Sequence, residues 1–201
     1  MDELSPEAYV DALVIMNDAP SSVVPISVNE MHLFSYLGCI LSLFKGAPVA
    51  EWGYPYAITS EGFPFSVELD YAREALFRRG LLSVDDNQRM QPISSELHAE
   101  LLTVLSVGPW NKRRSALRAA TECALALPMG SIRHAISRSP GMDQPFFLGQ
   151  RGRLLQQSDA TLLYDEYEVV SSVLGADAED VLSPAVIWLS ARVLRKEGAN
   201  V

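Results

Sequence analysis

Cysteine, histidine and positive charge are all scarce in this chain of 201 residues, and each shortage removes a class of function. The two cysteines, Cys39 and Cys123, lie far apart inside the apolar runs SYLGCILSLF and ATECALAL. Two buried thiols are therefore expected, rather than a disulfide or a metal site. His32, His98 and His134 fall on separate segments, and none stands at a zinc-ligand spacing. A phosphate-binding loop is missing, since Lys45-Gly46 lacks the upstream glycines such a loop requires. No Gly-x-Ser-x-Gly elbow is present. The chain is thus expected not to be an enzyme and to need neither cofactor nor metal. No stretch of 18 residues is apolar and free of charge, so no membrane span is expected. The opening MDELSPEAYVDAL has neither the basic nor the apolar region of a signal peptide, which predicts a cytoplasmic protein. With 16 Lys and Arg against 25 Asp and Glu, the net charge of -9 disfavours non-specific nucleic-acid binding by the whole surface.

Hydrophobic residues make up 48% of the chain, enough for a substantial core in one ordinary domain or two small ones. The charge is unevenly spread. Lys112, Arg113, Arg114, Arg118, Arg133, Arg138, Arg151 and Arg153 stand against only Glu122 and Asp143 between residues 110 and 155. That stretch carries a net +6, so the remainder must carry -15 to reach the total of -9. Lys112, Arg113, Arg114 and Arg118 fall within about two turns of one predicted helix. They are candidate contacts to a nucleic-acid backbone, or else a solvated helix face.

Punctuation along the chain predicts mostly helices. Ser5-Pro6-Glu7 starts one that runs to about Met16. Ser27 and Glu30 form a capping box for a second, with Met31, Phe34, Leu37, Leu41 and Phe44 on its buried face. Residues 45–64 are broken by glycine and proline yet hold Trp52, Tyr54, Tyr56 and Phe63. These aromatics either pin a loop to the core or form a protein-contact patch. Ser66 caps a third helix whose buried stripe is expected to be Leu69, Ala72, Leu76 and Phe77, with Gly80 as its stop. The runs LLSV and RMQPI flank Asp85-Asp86-Asn87-Gln88 and predict a hairpin. Ser94 or Ser95 is expected to cap a helix that runs to about Val107. Pro109 opens another to about Leu127, where Pro128 and Gly130 stop it, and Ser131 caps a short one. MDQPFFLGQRGRLLQQ is expected to be a loop, with a helix from Gly149. The last two helices start at Ser158-Asp159 and Ser183-Pro184 and end at glycine. The first of them carries the acids Asp165, Glu166 and Glu168, expected to be a solvated or partner-facing surface rather than a metal or acid–base site.

Helix, helix, then hairpin is the ending of a winged helix, so the expected architecture is mainly α. A winged-helix-like domain with a small β-hairpin spans 1–107, and a helical domain spans 108–201. A DNA-reading helix presents Arg, Asn or Gln to base edges at its N-terminus. Here those positions hold Glu68 and Asp70, and the hairpin tip is Asp85-Asp86. The stretch GFPFSVELDYAREALFRRGLL resembles the Gly-Pro-aromatic-Ser, amphipathic helix, Gly-Leu/Ile pattern of middle components of bacterial ABC-three-component systems. It departs from that pattern by placing Phe63 between Gly62 and Pro64. The resemblance covers residues 27–93. It implies a winged-helix accessory subunit whose partners are an SMC/Rad50-like ATPase and an effector, in anti-phage or anti-plasmid defence, with DNA as a further partner through the complex. The alternative is a DNA-binding transcriptional regulator or antitoxin using the basic span.

Overall fold

Eight α-helices, one 3-10 turn and two two-stranded antiparallel sheets form the described part of the computed structural model, residues 4–142, 153–174 and 181–194. The protein is mainly α with a small β-hairpin, as expected. Helix α1 (Pro6–Asp18) begins where the Ser5 side chain accepts the Ala8 N–H and Pro6 occupies the first turn. It is buried from Ala8 to Met16, Asp11 included. Helix α2 (Val28–Phe44) begins with the reciprocal Ser27–Glu30 capping box. It is buried almost all round from Met31 to Phe44, which explains its thin polar face.

The backbone of Ile26, just before α2, pairs in both directions with Met90. Met90 opens strand β4 (Met90–Pro92), which is the return strand of the hairpin formed with β3 (Leu82–Val84). Between α2 and that hairpin come a 3-10 turn (Val49–Trp52), the short sheet of β1 (Ala57–Ile58) and β2 (Pro64–Phe65), and helix α3 (Val67–Arg78). The Ser66 side chain accepts the Leu69 N–H to start α3. Gly80, at φ 71°, turns the chain out of it. The Asp85 side chain accepts the N–H groups of Asn87 and Arg89, closing the hairpin tip on itself. Arg89 reaches back to the Pro25 carbonyl and to Glu30, which ties the hairpin to the start of α2.

Helix α4 (Ser94–Val107) follows, then α5 (Asn111–Ala126), α6 (Met129–Ile136), α7 (Gln157–Leu174) and α8 (Leu182–Leu194). The most extensive helix contact is between α2 and α5, and α5 also packs on α1. A Cβ placed on Gly38 of α2 would sit 2.8 Å from Leu117 Cδ2 and 3.4 Å from Leu117 Cα, so glycine lets these two helices approach closely. Helices α6 and α8 pack together, and α7 rests on α8 and α2. The buried cluster runs continuously from α1 to α8. The expected boundary at 107/108 therefore does not separate two cores: α5 fills the side of α1 and α2 that the first 107 residues alone would leave bare.

Three local expectations need correction. Phe77 lies outside the buried stripe of α3 and is 49% exposed, while Leu69, Ala72 and Leu76 are buried. Their spacing defines a face that Phe77 overshoots. Helix α6 starts at Met129, ahead of Ser131, because Pro128 ends the preceding segment and serves as the cap position of the next helix. Helix α4 starts with Ile93 at its cap and no side-chain hydrogen bond there. Of the loop and helix expected around Gly149, residues 143–152 lie outside the described residues, as do the charges Asp143 and Arg151 and the glycines ending the last two helices. Residues 153–156 are not helical, because Arg153 bridges to Ala57 and α7 begins only at Gln157.

Candidate functional site

Two features organise the polar chemistry: a buried hydrogen-bonded cluster beneath the 45–65 segment, and the outward faces of α3, α5 and α7. At the centre of the first is Asp11, fully buried on α1. Arg113 of α5 grips it with two N–H groups, Nε to Oδ1 and Nη2 to Oδ2, the latter at 2.8 Å. The guanidinium lies 3.8 Å from the centroid of the Trp52 ring. Tyr54 O–H donates to Asp11 Oδ2. Ser35 Oγ, on α2, lies 2.6 Å from both Tyr54 Oη and Tyr56 Oη. Trp52 Nε1 donates to Tyr56 Oη at 2.9 Å. A consistent ordering runs Trp52 to Tyr56 to Ser35 to Tyr54 to Asp11, each hydroxyl donating once toward the carboxylate.

Burial pushes the Asp11 carboxyl above its ordinary value, and the Arg113 charge works against that rise. Burial opposes the charge on Arg113 in turn, and the Asp11 carboxylate outweighs it, holding the guanidinium above its ordinary value. Burial raises both tyrosines, Tyr54 and Tyr56, well beyond the ordinary phenol range. The cluster is thus a closed electrostatic unit: a charge pair, its hydrogen-bond donors and an aromatic lid.

This geometry decides where the expected site residues lie. Trp52, Tyr54 and Tyr56 are buried and face inward. They are the pins that hold the 45–65 segment to α1, α2 and α5, so they are removed from any exposed contact patch. Phe63 is half-buried, with the Arg133 guanidinium 3.9 Å above its ring. The four bases of α5 do not form one strip. Arg113 is the inward partner of Asp11, only 9% exposed, and is removed from the outer surface. Arg114 pairs with Asp18 of α1 at 2.6 Å. Arg118 is exposed and pairs with Glu122 one turn on, at 3.3 Å. Lys112 is exposed and forms no ion pair among the described residues. Together with Glu7, Glu51, Trp52 and Trp110 it lines an open cleft of about 260 Å³ at the start of α5.

The acidic cluster of α7 divides as well. Glu166 turns toward α8, accepting Trp188 Nε1 at 2.9 Å and Arg192 Nη2 at 2.6 Å. Asp165 and Glu168 remain exposed. No group of three metal-ligating side chains exists among the described residues. Cys39 and Cys123 are free and buried, as expected, with the Cys123 thiol pushed up to about 12 by burial. His32 is buried, accepts the Ser66 N–H on Nδ1, and is pushed down to about 4 by burial.

The outward face of α3 is different in kind. Val67, Tyr71 and Phe77 are exposed there, interleaved with Glu68, Asp70 and Glu74. Arg73 is engaged by Asp70 at 2.8 Å, and Arg78 lies 3.9 Å from Glu74. Beside it the hairpin presents Asp86 and an Asp85 whose Oδ1 is occupied by the turn. No protein-family model, curated protein or solved structure matches the chain.

Proposed function

We propose that this protein is a non-enzymatic, winged-helix-like accessory subunit that works through protein contacts, in a complex built around an SMC/Rad50-like ATPase with an effector subunit, in anti-phage or anti-plasmid defence. The order α1, the bridge at Ile26, α2, α3 and the hairpin, with Ile26 paired to the return strand, supports the winged-helix reading. The observation that carries the proposal is the outer face of α3. A helix in the recognition position of a winged helix here offers Val67, Tyr71 and Phe77 among acids. Phosphates repel such a face, whereas exposed aromatics suit the centre of a protein interface. The ATPase and the defence role rest on the resemblance of residues 27–93.

The alternative, a DNA-binding regulator or antitoxin, is less favoured by the placement of the bases. Of the four candidate bases, Arg113 is internal, and Arg114 and Arg118 are paired with acids. The test is co-purification of the full chain with the products of its neighbouring genes, wild type against Tyr71→Glu. Recovery of a coiled-coil ATPase with the wild type and its loss with Tyr71→Glu is the expected result. A wild-type protein that comes through alone, or that retards a DNA duplex at low salt, sinks the reading.

A further inference from the structure

We infer that the outer face of α7 is a second docking surface, and that its occupant is an α-helix of another protein carrying an apolar stripe flanked by Lys and Arg. Helix α7 is 18 residues long, about 27 Å. Its inner face is spent on the fold: Leu163 and Val170 are buried, Tyr167 stacks on Phe44 at 4.4 Å, and Glu166 is taken by Trp188 and Arg192. Beside that face, about a quarter turn round the helix, Leu162, Val169 and Val173 are exposed by 53%, 65% and 79%. Seven and then four residues apart, they fall in one line along the helix, which is the seam a partner helix reads. None of the three packs against the buried cluster.

Charge selects the occupant. Asp165 and Glu168 border the seam on one side, are exposed, and form no ion pair among the described residues. An apolar seam with a free acidic border is complementary to a helix with a basic border, the arrangement that flanking charges use to choose partners in helix pairs. The same acids would be repelled by anionic lipid headgroups, so the face does not suit a membrane surface. They would be repelled by nucleic-acid phosphates as well.

The experiment uses the full chain and two synthetic helical peptides of about three heptads, a length matched to α7. Both carry Leu and Ile along the seam, one flanked by Lys and Arg, the other by Glu. Fluorescence anisotropy at low salt should show the basic peptide binding at least about tenfold more tightly than the acidic one. Val169→Glu should abolish binding while leaving the circular-dichroism melt unchanged, because Val169 supports no core contact. Asp165→Lys with Glu168→Lys should reverse the preference in favour of the acidic peptide. Tyr71→Glu should leave peptide binding intact, so this face and that of α3 stand or fall separately. The inference is overturned if the basic peptide does not bind, or if the charge swap leaves the preference unmoved. It is also overturned if sedimentation finds a wild-type dimer that Val169→Glu dissociates, since the occupant is then a second copy of this chain.

Discussion

Replacing Asp11 by alanine strands the Arg113 guanidinium inside the protein. Arg113 is 9% exposed, holds Asp11 with two N–H groups, and is covered by Trp52. Breaking a buried ion pair by removing one partner costs about 3–5 kcal/mol. A whole domain is stable by about 5–15 kcal/mol, so Asp11→Ala is expected to lose about a fifth or more of the folding free energy. Arg113→Met should be milder. The stranded carboxyl already has a raised pKa and still receives the Tyr54 hydroxyl, so it can take up a proton and shed its charge. The double variant should lose less than the summed singles, by about 2 kcal/mol. Urea unfolding at pH 7, followed by tryptophan fluorescence, measures all three, and Trp52 sits inside the cluster as a reporter. Arg113→Glu places two acids in one buried site and is expected to prevent folding. The reasoning fails if the single variants stay within about 0.5 kcal/mol of the wild type, the behaviour of surface positions. It fails equally if the single effects simply add.

The remaining predictions concern buried groups elsewhere. His32 is held down near 4 in the fold against an ordinary 6.5. The unfolded chain therefore takes the proton first, and stability falls as pH drops from about 6.5 to about 4, by about 3 kcal/mol in full. His32→Asn keeps an acceptor for the Ser66 N–H and does not titrate, so the difference in stability between pH 7 and pH 4.5 should shrink by most of that amount in paired urea melts. Gly38→Val drives a branched side chain into Leu117 and should destabilise by about 3 kcal/mol in thermal unfolding, although valine is the better helix former of the two. Burial raises both thiols, Cys39 and Cys123, so a thiol reagent should label neither in buffer and both in denaturant. Labelling of either in the native protein would contradict the packing of α2 against α5.

Local signals in the sequence are reliable where the partners are close along the chain. The Ser27–Glu30 box, the Ser66 cap, the Gly80 stop and the Asp85 turn are each written within a few residues and each form. The direction of Arg113 is not written locally. It stands in the run Lys112-Arg113-Arg114, and only Asp11, 102 residues away, turns it inward. The burial of α1 hides Asp11 in the same way, since an acid among Tyr9, Val10, Ala12 and Leu13 gains meaning only when α5 arrives. The aromatics of the 45–65 segment allowed both a pinned loop and a contact patch. The Tyr54 and Tyr56 hydroxyls that meet at Ser35, with the Trp52 indole donating to Tyr56, decide for the pin. Of the candidate surface, the acidic character of α3 and of the hairpin tip was legible. The exposure of Phe77 was not, because one residue of helical phase separates a core position from a surface one. The α7 acids were legible as a cluster, but their division between α8 and solvent depends on Arg192 and Trp188.

The placement of α5 against α1 and α2 governs how this molecule can be dissected at the bench. A fragment ending at residue 107 would leave Asp11 without Arg113 and Gly38 facing water in place of Leu117. Its loss of binding would report collapse rather than a missing contact. A fragment beginning at residue 108 would carry Arg113 with no counter-charge. Deletion mapping is therefore uninformative across this chain. Interaction surfaces have to be assigned by single outward-facing substitutions in the intact protein, each with its own melting curve.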